Sequence, residues 1–311
     1  MAELKKPDLS VKIGQLKLKN PLITASGTYG YADEYDEYVN LCNVGAIITK
    51  GMTLNPRQGN PQPRIKEVQG GMINCIGLEN MGIYDFIKYK LPVLTEKNIT
   101  FIVNIAGSDI SEYAKLAKIC LDSGIYAIEL NLSCPNVTSG CIEFGKDKDI
   151  LYNLVSSVRE VFDKTLIVKL SSNVSNPVEL AVNAEKAGAD AISAINTVKA
   201  MSVEARINNK KLDFKYVKGG LSGSCIKPIA LGFINEISQA INIPIIGMGG
   251  ISSVSDIFEF MAVGSSAVQI GTANFTHPYI CDQLEEDLTK ILLDNGVSSL
   301  QELLYENSRK H

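Results

Sequence analysis

The 311-residue chain predicts an α/β fold: a (β/α)8 or TIM barrel with an N-terminal β-hairpin and an insertion after the sixth strand. Three observations lead there. Short apolar runs recur eight times, amphipathic stretches separate most of them, and the runs end in Gly, Ser, Asn or Thr.

In chain order, LSVKIGQLKLKN within the first 20 residues alternates like a small hairpin, able to plug a barrel floor. The strand runs are PLITASG from Pro21, AIITKG from Ala46, FIVNIAG from Phe101 and AIELNLS from Ala127. LIVKLSS from Leu166, AISAINT from Ala191, PIIGMGG from Pro244 and AVQIGTA from Ala267 complete them. Near-continuous apolarity suits parallel strands covered on both faces. Helical periodicity marks SEYAKLAKICLDSG from Ser111, PVELAVNAEKAGAD from Pro177 and VSDIFEFMAVG from Val254. The hinges KAGADAI and AVGSSAV place glycine where a helix stops before a strand. Residues 198–224 read as a polar, glycine-ended loop region, long enough to be a lid, a binding loop or an interface. No linker interrupts the chain, so residues 1–311 read as one domain. A doubly wound sheet is the alternative, but it rarely sustains eight alternations.

Composition narrows the function. The chain is 45% hydrophobic and 21% charged, which suits a large core and not disorder. A net charge of −4 and a pI near 5.4 give no footprint for nucleic acid. The N-terminus MAELKKPDLSVKIG has no signal-peptide core and no apolar run approaches membrane length, so a cytoplasmic protein is expected. Seven cysteines without a C-x-x-C pair predict neither a disulfide framework nor a metal or iron–sulfur site. Two histidines, His277 and the terminal His311, leave little for histidine-centred catalysis.

Strand ends of a barrel face one another across one mouth. They bring together Ser26-Gly27, Lys50-Gly51, Asn104, Asn131 with Cys134 and Asn136, Lys169, Asn196-Thr197, Gly249-Gly250 and Gly271-Thr272. So many amides and two lysines in an apolar mouth are costly unless a ligand meets them. Cys134 reads either as a nucleophile or proton-transfer base, or as a buried structural thiol. Lys169, inside a strand, reads either as half of a salt bridge with a barrel carboxylate or as a cation beside an electron-accepting ring. GMGG and GTAN end the last two strands, where barrels often cradle phosphate on backbone N–H groups. Gly219-Gly220-Leu221-Ser222-Gly223 offers further amides.

Together ASGTYG (from Ala25), TKGMT (Thr49), NPQPR (Asn60), MINCIGLEN (Met72), NLSCPN (Asn131), INT (Ile195), GGLSG..IKP (Gly219), IIGMGGI (Ile245) and QIGTANF (Gln269) resemble the class 1 dihydroorotate dehydrogenases. The resemblance spans essentially the whole chain, and NLSCPN combined with MINxxGLxN is its most specific part. GGLSG..IKP and GTANF look like the class 1B subclass, more than the fumarate-using 1A subclass. The resemblance implies one FMN per chain and oxidation of (S)-dihydroorotate to orotate in pyrimidine (UMP) synthesis. Cys134 would take the C5 proton while hydride passes from C6 to FMN N5. It places Lys50, Asn74, Asn131, Asn136, Asn196 and Thr197 on the substrate, with Lys50 and the backbone of Ile76, Gly77 and Leu78 on its carboxylate. FMN would rest on Ala25, Ser26, Lys50, Gly51, Asn104, Asn131, Lys169 and Ile195. Its phosphate would lie on Gly223, Gly249, Gly250, Gly271 and Thr272. It further implies a homodimer, joined into a heterotetramer by an electron-transfer subunit that carries FAD and an iron–sulfur cluster and reduces NAD. Leu170-Ser171-Ser172-Asn173 departs from the family's LSPN, and INTVKAM resembles archaeal members. Competing readings are an FMN barrel for another dihydropyrimidine, a tRNA dihydrouridine synthase-like barrel, and a non-catalytic partner-binding barrel.

Overall fold

Apolar runs that must be covered on both faces find that cover in a closed parallel barrel with helices outside. The computed structural model describes residues 6–32, 34, 41–132, 144–208 and 211–303. Strands β1 (Val11–Ile13) and β2 (Leu16–Leu18) pair antiparallel as the expected hairpin. Its turn sits on the barrel floor. A side chain at Gly14 would meet Thr165 and Asp190 at 2.9 Å, and Gln15 N–H donates to Thr165 Oγ1 at 3.0 Å.

The barrel begins with β3 (Leu22–Thr24) and β4 (Ala46–Ile48). A second hairpin follows, β5 (Ile65–Val68) and β6 (Gly71–Asn74). Barrel strands β7 (Phe101–Ile105), β8 (Ala127–Asn131), β9 (Thr165–Lys169) and β10 (Ala191–Ala194) come next. Strands β11 (Val198–Asn208) and β12 (Lys211–Ser222) precede the last two barrel strands, β13 (Ile245–Met248) and β14 (Ala267–Ile270). The eight barrel strands match the eight apolar runs, and β14 pairs with β3 to close the circle.

Helices start where side chains satisfy the free N–H groups of a first turn. Asp109 caps Ile110–Asp122, Asp147 caps Lys148–Val161, and Asn176 caps Pro177–Lys186. Ser253 and Asp256 form a reciprocal capping box on Val254–Ala262.

Residues 198–224, expected as a loop region, differ from that expectation: β11 and β12, which make up 198–208 and 211–222, pair antiparallel over their whole length, from Val198↔Leu221 to Asn208↔Lys211. Strand β12 continues onto β6, giving the sheet β11-β12-β6-β5. The physical reason is period-two alternation. Met201, Val203, Ala205 and Ile207 share one face with Leu212, Phe214 and Tyr216, while Glu204 and Arg206 take the other. Glu204 pairs with Lys66 of β5, tying the ribbon to the neighbouring hairpin. Among the described residues, no helix is long and apolar enough to cross a membrane.

Candidate active site

The mouth is built where β4, β7, β8 and β9 end. Gly51 follows β4, and a side chain there would lie 2.9 Å from Asn104 Oδ1, 3.2 Å from Leu78 Cδ2 and 3.9 Å from Asn131 Nδ2. Glycine thus leaves a space that two amides border. Asn104 Oδ1 is fully buried and has no hydrogen-bond partner among the described residues. A buried carbonyl oxygen left this way is a cost that a ligand donor removes.

Beneath the mouth lies a polar layer. Glu129 of β8 is completely buried; its Oε1 accepts from Asn104 Nδ2 at 2.7 Å. Its Oε2 accepts from Ser193 Oγ at 2.7 Å and from Gln269 Nε2 at 2.8 Å. Lys169 Nζ stands 3.7 Å from Oε1. The barrel carboxylate that an in-strand lysine demands is therefore present, and it is Glu129. Sequence reasoning passed over it because it sits inside the run AIELNL.

A line of amides crosses the rim. Asn74, at the end of β6, donates from Nδ2 to Gly220 O at 3.2 Å. Gly220 packs so tightly against Thr197 that a side chain would strike its hydroxyl. Thr197 N–H donates to Asn196 Oδ1 at 2.7 Å, and Asn196 Nδ2 reaches Asn131 Oδ1 at 3.5 Å. Tyr113 Oη fixes the Asn131 backbone by donating to its carbonyl at 2.6 Å. Ile76, Gly77 and Leu78 form the adjoining loop. Gly77 and Leu78 have φ of +79° and +55°, and Ile76 O accepts from Asn60 N–H at 2.9 Å. Lys50 lies with its ammonium 5.4 Å from the Tyr31 ring centre. Ser26 Oγ donates to Thr49 O at 2.8 Å, Ala25 N–H to Ile270 O at 2.8 Å, and Ile195 N–H to Met248 O at 3.0 Å.

The glycine loops converge on the other side. Gly223, Gly249 and Gly250 all have positive φ, and a side chain at Gly250 would meet Gly223 O at 2.9 Å. Thr272 Oγ1 donates to Ser222 Oγ at 2.8 Å, bringing the end of β14 to the end of β12, and Gly271 faces Ala25. Lys227, just behind this cradle, is paired with Asp256 and Glu259, which raise its pKa. It braces the helix beginning at Lys227 against the next one. Asp256 carries the opposite shift. Burial works to raise its pKa, but hydrogen bonds from Lys227, Ser252 N–H and Ser253 outweigh this and hold it below the usual carboxylate range.

Cys134 and Asn136 lie outside the described residues. Among the cysteines that are described, burial pushes the Cys120 and Cys281 thiols up to about 12, which removes them as nucleophiles. No group of three metal-ligating side chains occurs among the described residues.

The family model for dihydroorotate dehydrogenase matches residues 8–292. The chain belongs to the dihydroorotate dehydrogenase family. It is 47% identical over 300 residues to a protein of Geotalea uraniireducens (strain Rf4) named dihydroorotate dehydrogenase B (NAD(+)), catalytic subunit. That alignment covers 96% of this chain and 98% of the relative. Proteins of the same name from Thermoanaerobacter pseudethanolicus and Bacteroides thetaiotaomicron are 46% and 44% identical, again over 96% of this chain and 98% of theirs.

Proposed function

We propose that this chain is the catalytic subunit of a B-type dihydroorotate dehydrogenase, oxidising dihydroorotate to orotate for pyrimidine synthesis. The observation that carries the reading is the line of amides from Asn74 through Gly220 and Thr197 to Asn196 and Asn131. Amides offer donors and acceptors side by side, which is what the ring N–H and C=O groups of this substrate require.

The residues fit FMN as the resident cofactor. Asn104 Oδ1 is an orphaned buried acceptor, and side chains at Gly223, Gly249 and Gly250 would clash with Gly71, Ala230 and Gly223 in turn, so these loops present bare backbone of the kind that cradles phosphate. FMN would be held by Ala25, Ser26, Lys50, Gly51, Asn104, Asn131, Lys169 and Ile195, and its phosphate by Gly223, Gly249, Gly250, Gly271 and Thr272. When bound, it supplies the two-electron acceptor for oxidation of a carbon–carbon bond. Lys169 would bring a positive charge to the flavin. Lys50 and the Ile76–Leu78 backbone hold the substrate carboxylate, and Asn74, Asn131, Asn136, Asn196 and Thr197 orient the ring. Cys134 accepts the proton from C5; neutral-pH function requires its thiolate, so its surroundings must favour that form.

The relatives' B-type, NAD-linked names support NAD over fumarate as terminal acceptor. Electrons then leave through a partner subunit bearing FAD and an iron–sulfur cluster, in a heterotetramer built on a homodimer of this chain. The chain acts as a single FMN-binding domain in the cytoplasm.

Anaerobic titration with dihydroorotate tests the reading: one bound FMN per chain should bleach stoichiometrically, and NAD should be reduced slowly until the partner is added. Protein that takes up no flavin, or flavin that dihydroorotate does not bleach, refutes it. Cys134→Ala should keep flavin and lose most turnover at neutral pH; near-normal turnover removes Cys134 from the role of base.

A further inference from the structure

The polar layer contains a group that touches neither the mouth nor the cradle and yet decides what both present. We propose that Glu129 is a positioning residue. Its carboxylate sets the sense of the Asn104 amide and compensates the Lys169 charge without consuming that lysine's donors. The proposal rests on the FMN reading above.

The two ends of an asparagine amide are nearly the same size, so packing alone does not choose between them. Hydrogen bonding does. Asn104 Nδ2 donates to Glu129 Oε1 at 2.7 Å, and Oδ1 faces the space above Gly51. Reversing the amide would set Oδ1 against a carboxylate oxygen at that distance, two acceptors with no proton between them. The carboxylate therefore holds Asn104 as an acceptor toward the mouth, and a ring seated there must bring a donor. Flavin carries one such group, its imide N–H.

Glu129 can do this because it cannot turn. Ser193 Oγ and Gln269 Nε2 hold Oε2 from β10 and from β14 across the barrel, while Asn104 holds Oε1 from β7. The same geometry orders Gln269, whose Oε1 is also buried without a partner among the described residues.

Lys169 receives different treatment. At 3.7 Å its ammonium lies within ion-pair range of Glu129 Oε1 but beyond a good hydrogen bond. The carboxylate offsets the charge and leaves the N–H groups for a ligand. Because the two charges oppose each other, the positive field felt by a reduced, anionic ring is weaker than Lys169 alone would give.

The test uses Glu129→Gln in the full chain, with two readouts independent of turnover. One is the FMN dissociation constant of the apoprotein, by fluorescence quenching. The other is the midpoint potential of the bound flavin. We expect FMN to bind at least tenfold more weakly and the potential to move positive, since removing the anion favours the reduced form. A tenfold change in the preference for reduced over oxidised flavin corresponds to about 30 mV for a two-electron couple. Unchanged dissociation constant and potential overturn the proposal, as does weaker binding with an unmoved potential, which is what simple loosening gives. Should Glu129→Gln fail to fold, Ser193→Ala removes one of the two donors that hold Oε2 and loosens the carboxylate without altering charge. It should weaken FMN about threefold, and unaltered binding in that variant overturns the proposal equally. Wild-type protein that binds no FMN refutes the parent reading, and is told apart because the wild type itself fails.

Discussion

The barrel centre and the β11–β12 ribbon invert the ordinary partition of side chains. Asn104, Glu129, Lys169, Ser193 and Gln269 sit buried in the one, whereas Met201, Val203, Ile207, Leu212, Phe214 and Tyr216 stand exposed on the other. The inversions are not equivalent. The buried groups answer one another, so that Glu129 alone meets three donors and a cation. The ribbon's apolar face has no cover among the described residues, and its strands persist on backbone pairing and on the Glu204–Lys66 tie. Polarity inside the barrel is therefore a property of a buried network, and apolarity on the ribbon is one of exposed neighbours such as Phe214 and Tyr216, whose ring centres lie 6.2 Å apart. Substitutions in the first region should be strongly coupled; those in the second only weakly.

The largest effect should come from Glu129→Ala, which strands Lys169 in the interior and should cost about 3–5 kcal/mol in urea unfolding. A loss below about 1 kcal/mol would mean that the layer is not held as an ion-paired network. Next is the seam between the two regions. Gly220→Val forces a side chain into Thr197 and should cost about 1–3 kcal/mol, while raising the dihydroorotate KM at least tenfold. Normal stability and KM would separate ribbon from mouth.

Asp256→Asn probes a buried charge that is paired with Lys227 behind the cradle and not inside the barrel. The capping box should be worth about 1 kcal/mol at neutral pH. Because the folded pKa is lowered, that contribution is present above the ordinary carboxylate value and is lost as pH falls through the folded value. Unfolding curves of wild type and variant should converge as the pH is lowered; a gap constant with pH would assign the loss to shape and not charge. The smallest effect belongs to Ile207→Ser, at a side chain 80% exposed, which should change unfolding free energy by less than about 0.5 kcal/mol.

The eight barrel strands were legible because continuous apolar runs such as PLIT and AIIT have no other comfortable place than a doubly covered sheet. The N-terminal hairpin showed in its alternation. The ribbon carried the same signal in MSVEARI and LDFKY, but the polar NNKK between them weighs toward a loop when composition is read before period. IKEV-QG-GMIN likewise hides a tight hairpin behind a motif known for its chemistry. At the candidate site, the gathering of Lys50, Asn104, Asn131, Asn196 and the glycines was legible because strand ends are positions that topology brings together. Glu129 was not, since one acidic residue within an apolar run shows its meaning only when the strands opposite supply Ser193 and Gln269. The register of a closed barrel decides that, and no local pattern records it.

The N-terminal hairpin, seated on Thr165 and Asp190 at the floor, has a kinetic side. The barrel interior is packed with side chains and is no pore, so the hairpin seals a floor that nothing crosses. On the proposed reading, substrate and product then share the mouth above the strands, and each product must clear it before the next substrate binds.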